Sequence, residues 1–409
     1  MEFGLIGERL GHSFSPRIHQ LLGVPDYQLR PLPPEELPRF LEGDGFRGVN
    51  VTIPYKQAVI PFCRELSPRA RRIGSVNTLV RRSDGTLWGE NTDYQGFLAM
   101  AGRAGVEFAG RRVLILGSGG TSLTARAAAE DRGAASVTVV SRRGPVTYDD
   151  LEAHRDAQII VNTTPVGMWP RCGERLIRLD SFPACEGVLD VIYNPLKTAL
   201  LLDAEERQIP CSGGLPMLVA QAWEAARLFL GRDIPEARAW EILDLLTAER
   251  RNIVLLGMPG SGKTTVGEAL AAALGRPLLD TDREVEREAG MDIPRIFARE
   301  GEAGFRAREA AAIARCGAGT GAVIAIGGGG AVSRENQRAL LQNGFPVLLE
   351  RDLDALETGK GRPLSPDKAA VAALWAKRMP VYRAFAWSAV DNNGPVVDTV
   401  ARIRKECGV

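Results

Sequence analysis

The chain has 409 residues, 45% of them hydrophobic and 25% charged, with a formal net charge of +1. That length suggests two or three globular domains, and the balanced charge and 6% aromatic content argue against a nucleic-acid or membrane-surface protein. No apolar stretch approaches the roughly 20 residues of a membrane span, and six cysteines scattered without a CxxC predict reduced thiols in a cytoplasmic protein.

Met1 to Gly7 reads as a first strand rather than a signal peptide. Gly48 to Ile53 reads as another, ending at Pro54, and Arg69 to Ile73 as a short helix. Next come a buried strand at Arg112–Leu116, the turn Gly117-Ser118-Gly119-Gly120 and a helix over Ser122–Arg132. Strands follow at Ser136–Val140, Gln158–Asn162 and Gly187–Val191, then amphipathic helices over Met217–Leu230 and Pro235–Arg250. A very short linker near Arg251 leads to the apolar run Ile253–Leu256, after which the strand–helix pattern resumes to the end. This alternation predicts an α/β protein with parallel sheets covered on both faces.

Two scarcities sharpen the search for chemistry. Three histidines leave little material for His-based zinc sites or Ser-His-Asp hydrolysis, and seven lysines stand against 44 arginines. A lysine inside a motif is therefore less easily accidental. Lys56 follows a strand that ends in proline, so it can project from a loop into a cleft; the alternative is a surface lysine. Asp93 is either its partner or an ordinary helix N-cap. A lysine held near an aspartate can protonate the alkoxide formed when a ketone receives a hydride. Thr52, Asn77 and Gln221 would be neutral hydrogen-bond partners for a polyhydroxylated ring.

The turn carrying Gly117, Gly119 and Gly120 departs from GxGxxG because Ser122 takes the third glycine position, and alone it is equally a plain strand–helix turn. The end of the next strand adds to it. NAD-preferring folds place an acid there, whereas this chain has Ser141 and Arg142, which suit the 2′-phosphate of NADP(H). The segments around these residues resemble shikimate dehydrogenase: Gly11-His12-Ser13-Phe14-Ser15-Pro16, Asn50-Val51-Thr52-Ile53-Pro54-Tyr55-Lys56, Ser75-Val76-Asn77-Thr78 and Asn91-Thr92-Asp93. Asn162-Thr163-Thr164-Pro165-Val166-Gly167-Met168, Asp190-Val191-Ile192-Tyr193 and Gly213-Gly214-Leu215-Pro216 continue the match in order to about residue 248. The resemblance implies that Ser13 and Ser15 bind the substrate carboxylate and hydroxyls. It further implies that Tyr193 stands on the substrate side and that Thr163 and Gly214 belong to the nicotinamide side.

Gly257-Met258-Pro259-Gly260-Ser261-Gly262-Lys263-Thr264 is a complete phosphate-binding loop between a strand and a helix. Backbone N–H groups of Gly260, Ser261, Gly262, Lys263, Thr264 and Thr265 can face phosphate oxygens, Lys263 can reach the outer phosphates, and Thr264 can hold Mg²⁺. Asp280 and Asp282, two residues apart at a strand end, would share a face if both were extended; a solvated acidic turn is the alternative. With Gly301 to Glu309, Ile326 to Val332, Gly361 to Leu364 and Lys377 to Tyr382, the set resembles shikimate kinase over residues 251–409. The resemblance implies that Asp282 orients or deprotonates the substrate hydroxyl and that Asp280 assists Mg²⁺. Arg306 and Arg378 would clamp the carboxylate, Gly328 and Gly329 would meet the ring, and Arg362 would act from a lid on ATP. The stretch between Glu350 and Arg362 is shorter than the family pattern, with Glu357 and Thr358 where an adenine-side arginine is usual.

The expected architecture is a substrate-binding α/β domain over 1–100, completed by helices within 217–249, and a Rossmann-like NADP domain over 101–216. A P-loop kinase domain with a parallel sheet, of nucleoside-monophosphate-kinase type, would follow over 251–409. The expected activity is NADPH-dependent reduction of 3-dehydroshikimate followed by ATP-dependent phosphorylation of shikimate, on small-molecule substrates without nucleic acid or membrane. An NAD-using quinate/shikimate dehydrogenase, or a kinase half reduced to a regulatory ATP-binding module, are the competing readings.

Overall fold

A computed structural model describes residues 1–11, 13–356 and 368–409; His12, Glu357, Thr358 and Arg362 lie outside the described residues. The chain divides into two compact units. The first comprises Met1–Val166, Arg175–Tyr193 and Asp203–Leu245, and the second Gly167–Glu174, Asn194–Leu202 and Leu246–Val409. All six cysteines are free thiols, and no described helix is long and apolar enough to cross a membrane.

The first unit contains two sheets. One is built from β1 (Phe3–Gly7), β2 (Tyr27–Pro31), β3 (Gly48–Val51), β4 (Cys63–Leu66), β5 (Thr78–Arg81) and β6 (Leu87–Glu90), in the order β2-β1-β3-β5-β6-β4. β1 runs parallel to β2 and β3, while β5 is antiparallel to both β3 and β6. β3 ends two residues earlier than its apolar run suggests, which releases Thr52 and the Ile53–Pro54 segment into a turn. Ile6, Val49, Val51 and Leu79 bury one core here.

The second sheet of this unit is wholly parallel: β7 (Arg112–Leu116), β8 (Ser136–Val140), β9 (Ile159–Asn162), β10 (Gly187–Asp190) and β11 (Cys211–Ser212), ordered β11-β10-β9-β7-β8. Successive connections leave β7 in opposite directions, so the turn after β7 lies at the switch point where open α/β sheets bind ligands. Val113, Ile115, Ile159, Val161 and Leu189 pack against Phe97, Met100 and Ala101 of the helix Asp93–Ala104 and Met217 of the helix Leu215–Leu230. The helix that begins with Asp93 is thus fixed against this core.

In the second unit, β12 (Asn252–Leu256), β13 (Leu278–Asp280), β14 (Val323–Ala325), β15 (Gly344–Glu350) and β16 (Ser388–Asp391) form a parallel sheet ordered β13-β14-β12-β15-β16. The strands read as continuous apolar runs because both faces are covered. Val254, Leu256, Ile324 and Leu348 enter one core, while Ile253, Leu255, Val323, Val347 and Leu349 enter the other. A satellite cluster of Val285, Ile296, Phe305 and Ala312 ties the helix Thr281–Ala289 to the long helix Ile293–Ala318, which breaks at Gly301.

Candidate functional site

The first cavity, of about 180 Å³, is lined by Ser13, Ser15, Thr52, Lys56, Asn77, Asp93, Tyr193 and Gln221, every one singled out from sequence, and by Gly214. Lys56 Nζ contacts Asp93 Oδ2, and the two side chains are only 13% and 9% exposed. Asp93 is not the N-cap of its helix. Thr92 holds that position, and Asn91 Oδ1 accepts the Tyr94 N–H at 3.1 Å. The carboxylate is therefore free to meet the lysine.

The walls are neutral amides and hydroxyls in fixed orientations. Asn77 Oδ1 accepts the Thr92 N–H at 2.7 Å and its Nδ2 donates to Thr92 Oγ1 at 3.0 Å. Gln221 Nε2 donates to the Leu218 carbonyl at 2.8 Å. Ser13 Oγ donates to Ser15 Oγ at 3.2 Å, and Tyr193 packs against Phe14 with ring centroids 5.1 Å apart. Two residues that sequence reasoning did not single out belong here. Asn50 also lines the cavity, and the Tyr27 hydroxyl donates to Asn50 Oδ1 at 2.7 Å. Asn50 lies inside the NVTIPYK segment and could have been read from it; Tyr27, on β2, carries no local signal. His19 is wholly buried and stacks on Tyr27 at 4.0 Å, and burial pushes its imidazole down to about 3, so it stays neutral.

Beside this cavity, Gly117 has φ +104°, and a side chain there would meet Thr163 Oγ1 at 2.8 Å. Thr163 Oγ1 donates to the Leu116 carbonyl at 2.8 Å, closing the turn. Gly119 caps the helix Gly120–Asp131 and faces open space. Helix N–H groups with this cradle suit a pyrophosphate. At the end of β8, Ser141 is buried and Arg142 is exposed.

The second cavity, about 500 Å³, lies over the carboxyl ends of the third sheet. Gly260, Gly262, Lys263, Thr264 and Thr265 line it. Ser261 does not: its side chain is buried, and its N–H donates to the Met258 carbonyl at 3.1 Å. The helix starts at Lys263, three residues before the apolar run that suggested it, so Lys263 and Thr264 stand in its first turn. Lys263 Nζ donates to the carbonyls of Gly257 and Met258 at 3.0 and 2.9 Å.

Asp280 and Asp282 are close for a reason other than strand alternation. β13 ends at Asp280, which caps the helix Thr281–Ala289 by accepting the Asp282 N–H at 3.1 Å through Oδ1. Its Oδ2 accepts Thr264 Oγ1 at 2.8 Å. Asp282, in the first turn, is pushed up to about 6 by burial, with the Asp280 and Glu309 charges adding to the effect. A side chain on Gly327 would lie 2.2 Å from Asp282 Oδ1, and one on Gly329 would lie 2.1 Å from Arg306 Nη1. The glycine run is therefore what lets the acid and the guanidinium reach the same backbone.

Arg306 is held by Glu309, which the sequence reading missed. Nη1 donates to Glu309 Oε2 at 2.7 Å, and the Glu309 side chain is 2% exposed. Burial pushes the Glu309 carboxyl up despite that cation. Arg378 Nη1 donates to the Gly328 carbonyl at 2.7 Å, and the Tyr382 hydroxyl donates to the same oxygen. Glu309 lies one turn beyond Arg306 and Tyr382 one turn beyond Arg378, a spacing that could have flagged both.

Similarity to known families falls in two stretches of the chain. Residues 5–79 match the family model of the shikimate dehydrogenase substrate binding domain, and residues 259–407 match that of shikimate kinase. A shikimate dehydrogenase (NADP(+)) of Moorella thermoacetica is 35% identical over 266 residues, covering 57% of this chain and 89% of the relative. The crystal structure of a chorismate mutase/shikimate 5-dehydrogenase fusion protein from Clostridium acetobutylicum is 35% identical with a TM-score of 0.56, covering 60% of this chain and 96% of that one. Shikimate 5-dehydrogenase of Thermus thermophilus, solved with NADP(H) and shikimate, is 32% identical with a TM-score of 0.53, covering 59% of this chain and 98% of that one. The chain belongs to the shikimate dehydrogenase family and carries a shikimate kinase domain behind its dehydrogenase half.

Proposed function

We propose that the chain is a bifunctional enzyme that reduces 3-dehydroshikimate with NADPH and phosphorylates the resulting shikimate at its 3-hydroxyl with ATP. The observation that carries the reading is the Lys56–Asp93 pair set among neutral amides and hydroxyls in a cavity beside a dinucleotide turn. We assign a substrate-binding domain to residues 1–100 with helices from 217–249, the dinucleotide domain to 101–216 and the kinase to 251–409.

The Gly117 cradle, the open face of Gly119 and the exposed Arg142 fit a phosphorylated dinucleotide, with Ser141, Thr163 and Gly214 completing its surroundings. Bound NADPH supplies the hydride. Lys56 supplies the proton: its ammonium donates to the ketone oxygen as the carbonyl carbon is reduced, and Asp93 holds the ammonium in place. Ser13 and Ser15 take the carboxylate end, and Thr52, Asn77, Gln221 and Tyr193 the ring hydroxyls.

In the kinase cavity, Arg306 and Arg378 hold the carboxylate and Gly328 and Gly329 the ring. Asp282 accepts the 3-hydroxyl proton as that oxygen attacks the γ-phosphorus, and the bond from phosphorus to the leaving β,γ-bridging oxygen breaks to release ADP. Lys263 turns from its own loop to the outer phosphates. The oxygen donors Thr264 and Asp280 stand together at the loop and fit Mg²⁺, which would neutralise phosphate charge there. Supplying 3-dehydroshikimate, NADPH and ATP·Mg²⁺ together tests the whole reading. ADP release should require NADPH, and NADPH loss with no ADP release would reduce the rear half to a nucleotide-binding module.

A further inference from the structure

Arg351 is the first residue after β15, and it lines the kinase cavity with Asn392, Gly394 and Val396. Its Nε is buried and meets no hydrogen-bond partner. Nearby carboxylates already have partners. Glu350 accepts from Arg383 Nε at 3.0 Å, and Asp391 accepts the Asn393 N–H at 3.2 Å and pairs with Arg402 at 3.4 Å. Among the described residues, no acid neutralises Arg351. A half-buried guanidinium left in this state beside a phosphate loop has a ligand-binding use or none.

The topology says which part of the ligand it faces. Along the carboxyl edge of the sheet, Asp280 ends β13 and the Gly327–Gly329 run follows β14, so the acceptor side lies there. The phosphate loop follows the central strand β12, and Arg351 and Asn392 follow β15 and β16 on the opposite side. In-line phosphoryl transfer places the acceptor oxygen and the leaving oxygen on opposite sides of phosphorus. The nucleoside must therefore leave the loop towards β15 and β16. Arg351 stands close to that exit, since a side chain on Gly262 would come within 3.6 Å of its Nη1. Asn392 is committed to the loop, donating to the Ser261 carbonyl at 2.7 Å while its Oδ1 accepts Thr399 Oγ1 at 2.8 Å. That leaves Arg351 as the planar cationic wall of the slot, with Val396 as an apolar one.

We propose that Arg351 is a nucleotide-binding residue of the kinase, its guanidinium stacking on the purine of ATP. Guanidinium groups stack on flat aromatic faces and gain from the cation–π attraction. The inference rests on the kinase reading above, and its test is separable from it. If the unaltered chain shows no shikimate-dependent ADP release, the kinase reading fails; if it does, Arg351 can be judged alone.

The experiment compares Arg351→Ala and Arg351→Gln with the unaltered chain, the second keeping much of the stem's length. The KM for ATP should rise by roughly tenfold in both, as expected for loss of a partly desolvated cation–π contact. The KM for shikimate and the kcat at saturating ATP should stay within about twofold, which also reports a folded kinase unit. Inhibition by inorganic tripolyphosphate, which lacks the base and ribose, should be unchanged. An unchanged KM for ATP in either variant overturns the proposal. So does an equal weakening of tripolyphosphate, which would place the guanidinium on the phosphates.

Discussion

In the proposed reactions Lys56 donates a proton and Asp282 accepts one, and the two side chains stand in different surroundings. Lys56 meets its carboxylate partner in a cavity where, among the described residues, no other charged side chain lines the wall. Lys56→Ala should lower kcat for reduction by roughly 10²–10⁴-fold, the usual worth of a positioned acid, while leaving phosphorylation of supplied shikimate unchanged. NADPH-linked absorbance and ADP release, measured on the same preparation, separate the two. Asp282 titrates near 6 instead of 3.8 because burial and neighbouring acids disfavour its charge. Its folded value lies above its unfolded one, so the folded protein keeps an extra proton in that window. Stability is therefore present at low pH and lost as pH rises from about 4 to about 6. Asp282→Asn should abolish phosphorylation yet stabilise the metal-free kinase unit at pH 8 by roughly 1–3 kcal/mol, with a smaller gain at pH 5. Denaturant midpoints at the two pH values measure this, and a loss of stability at pH 8 would refute the electrostatic account.

At the scale of elements, the run Gly327-Gly328-Gly329 sets how closely β14 and the helices behind it converge. A side chain on Gly329 would press on the Arg306 guanidinium, which Glu309 holds at 2.7 Å. Gly329→Ala should therefore raise the KM for shikimate by tenfold or more while leaving the KM for ATP within about twofold. Initial rates at varied concentrations of each substrate check the split. The elements also show where the sequence was readable. β7, β12 and both glycine turns were legible because a buried parallel strand is a short apolar run and a positive φ restricts the residue choice. β2 and β4 have no buried position, and the short β5 and β6 each end in a charged residue, Arg81 and Glu90, so none of the four gives such a run. Asp280 and Asp282 were found for an incomplete reason: the strand stops between them, and a capping carboxylate rather than strand pleat brings them together. Tyr27, Glu309 and Tyr382 act through other side chains or a backbone carbonyl, contacts that no local pattern records.

At the scale of the whole molecule, one polypeptide makes a product and then consumes it. Lys263→Ala should abolish ADP release in the combined assay and let shikimate accumulate to match NADPH consumed. Chromatographic quantification of shikimate tests the stoichiometry, and undiminished ADP release would remove Lys263 from the mechanism. Residues for both chemistries were visible in motif order along the chain. The partition into units was only partly visible, because Gly167–Glu174 and Asn194–Leu202 group with residues far along the chain.

Within the phosphate loop, the Lys263 ammonium donates to the Gly257 and Met258 carbonyls of its own backbone. Lys263 is half-buried, and these two bonds give its charge acceptors on the protein itself. Nucleotide binding then becomes an exchange, in which phosphate oxygens replace two carbonyls the lysine already has. Under the proposed reading, ATP would gain less affinity from such a lysine than from a bare one, and the same exchange would ease the departure of ADP.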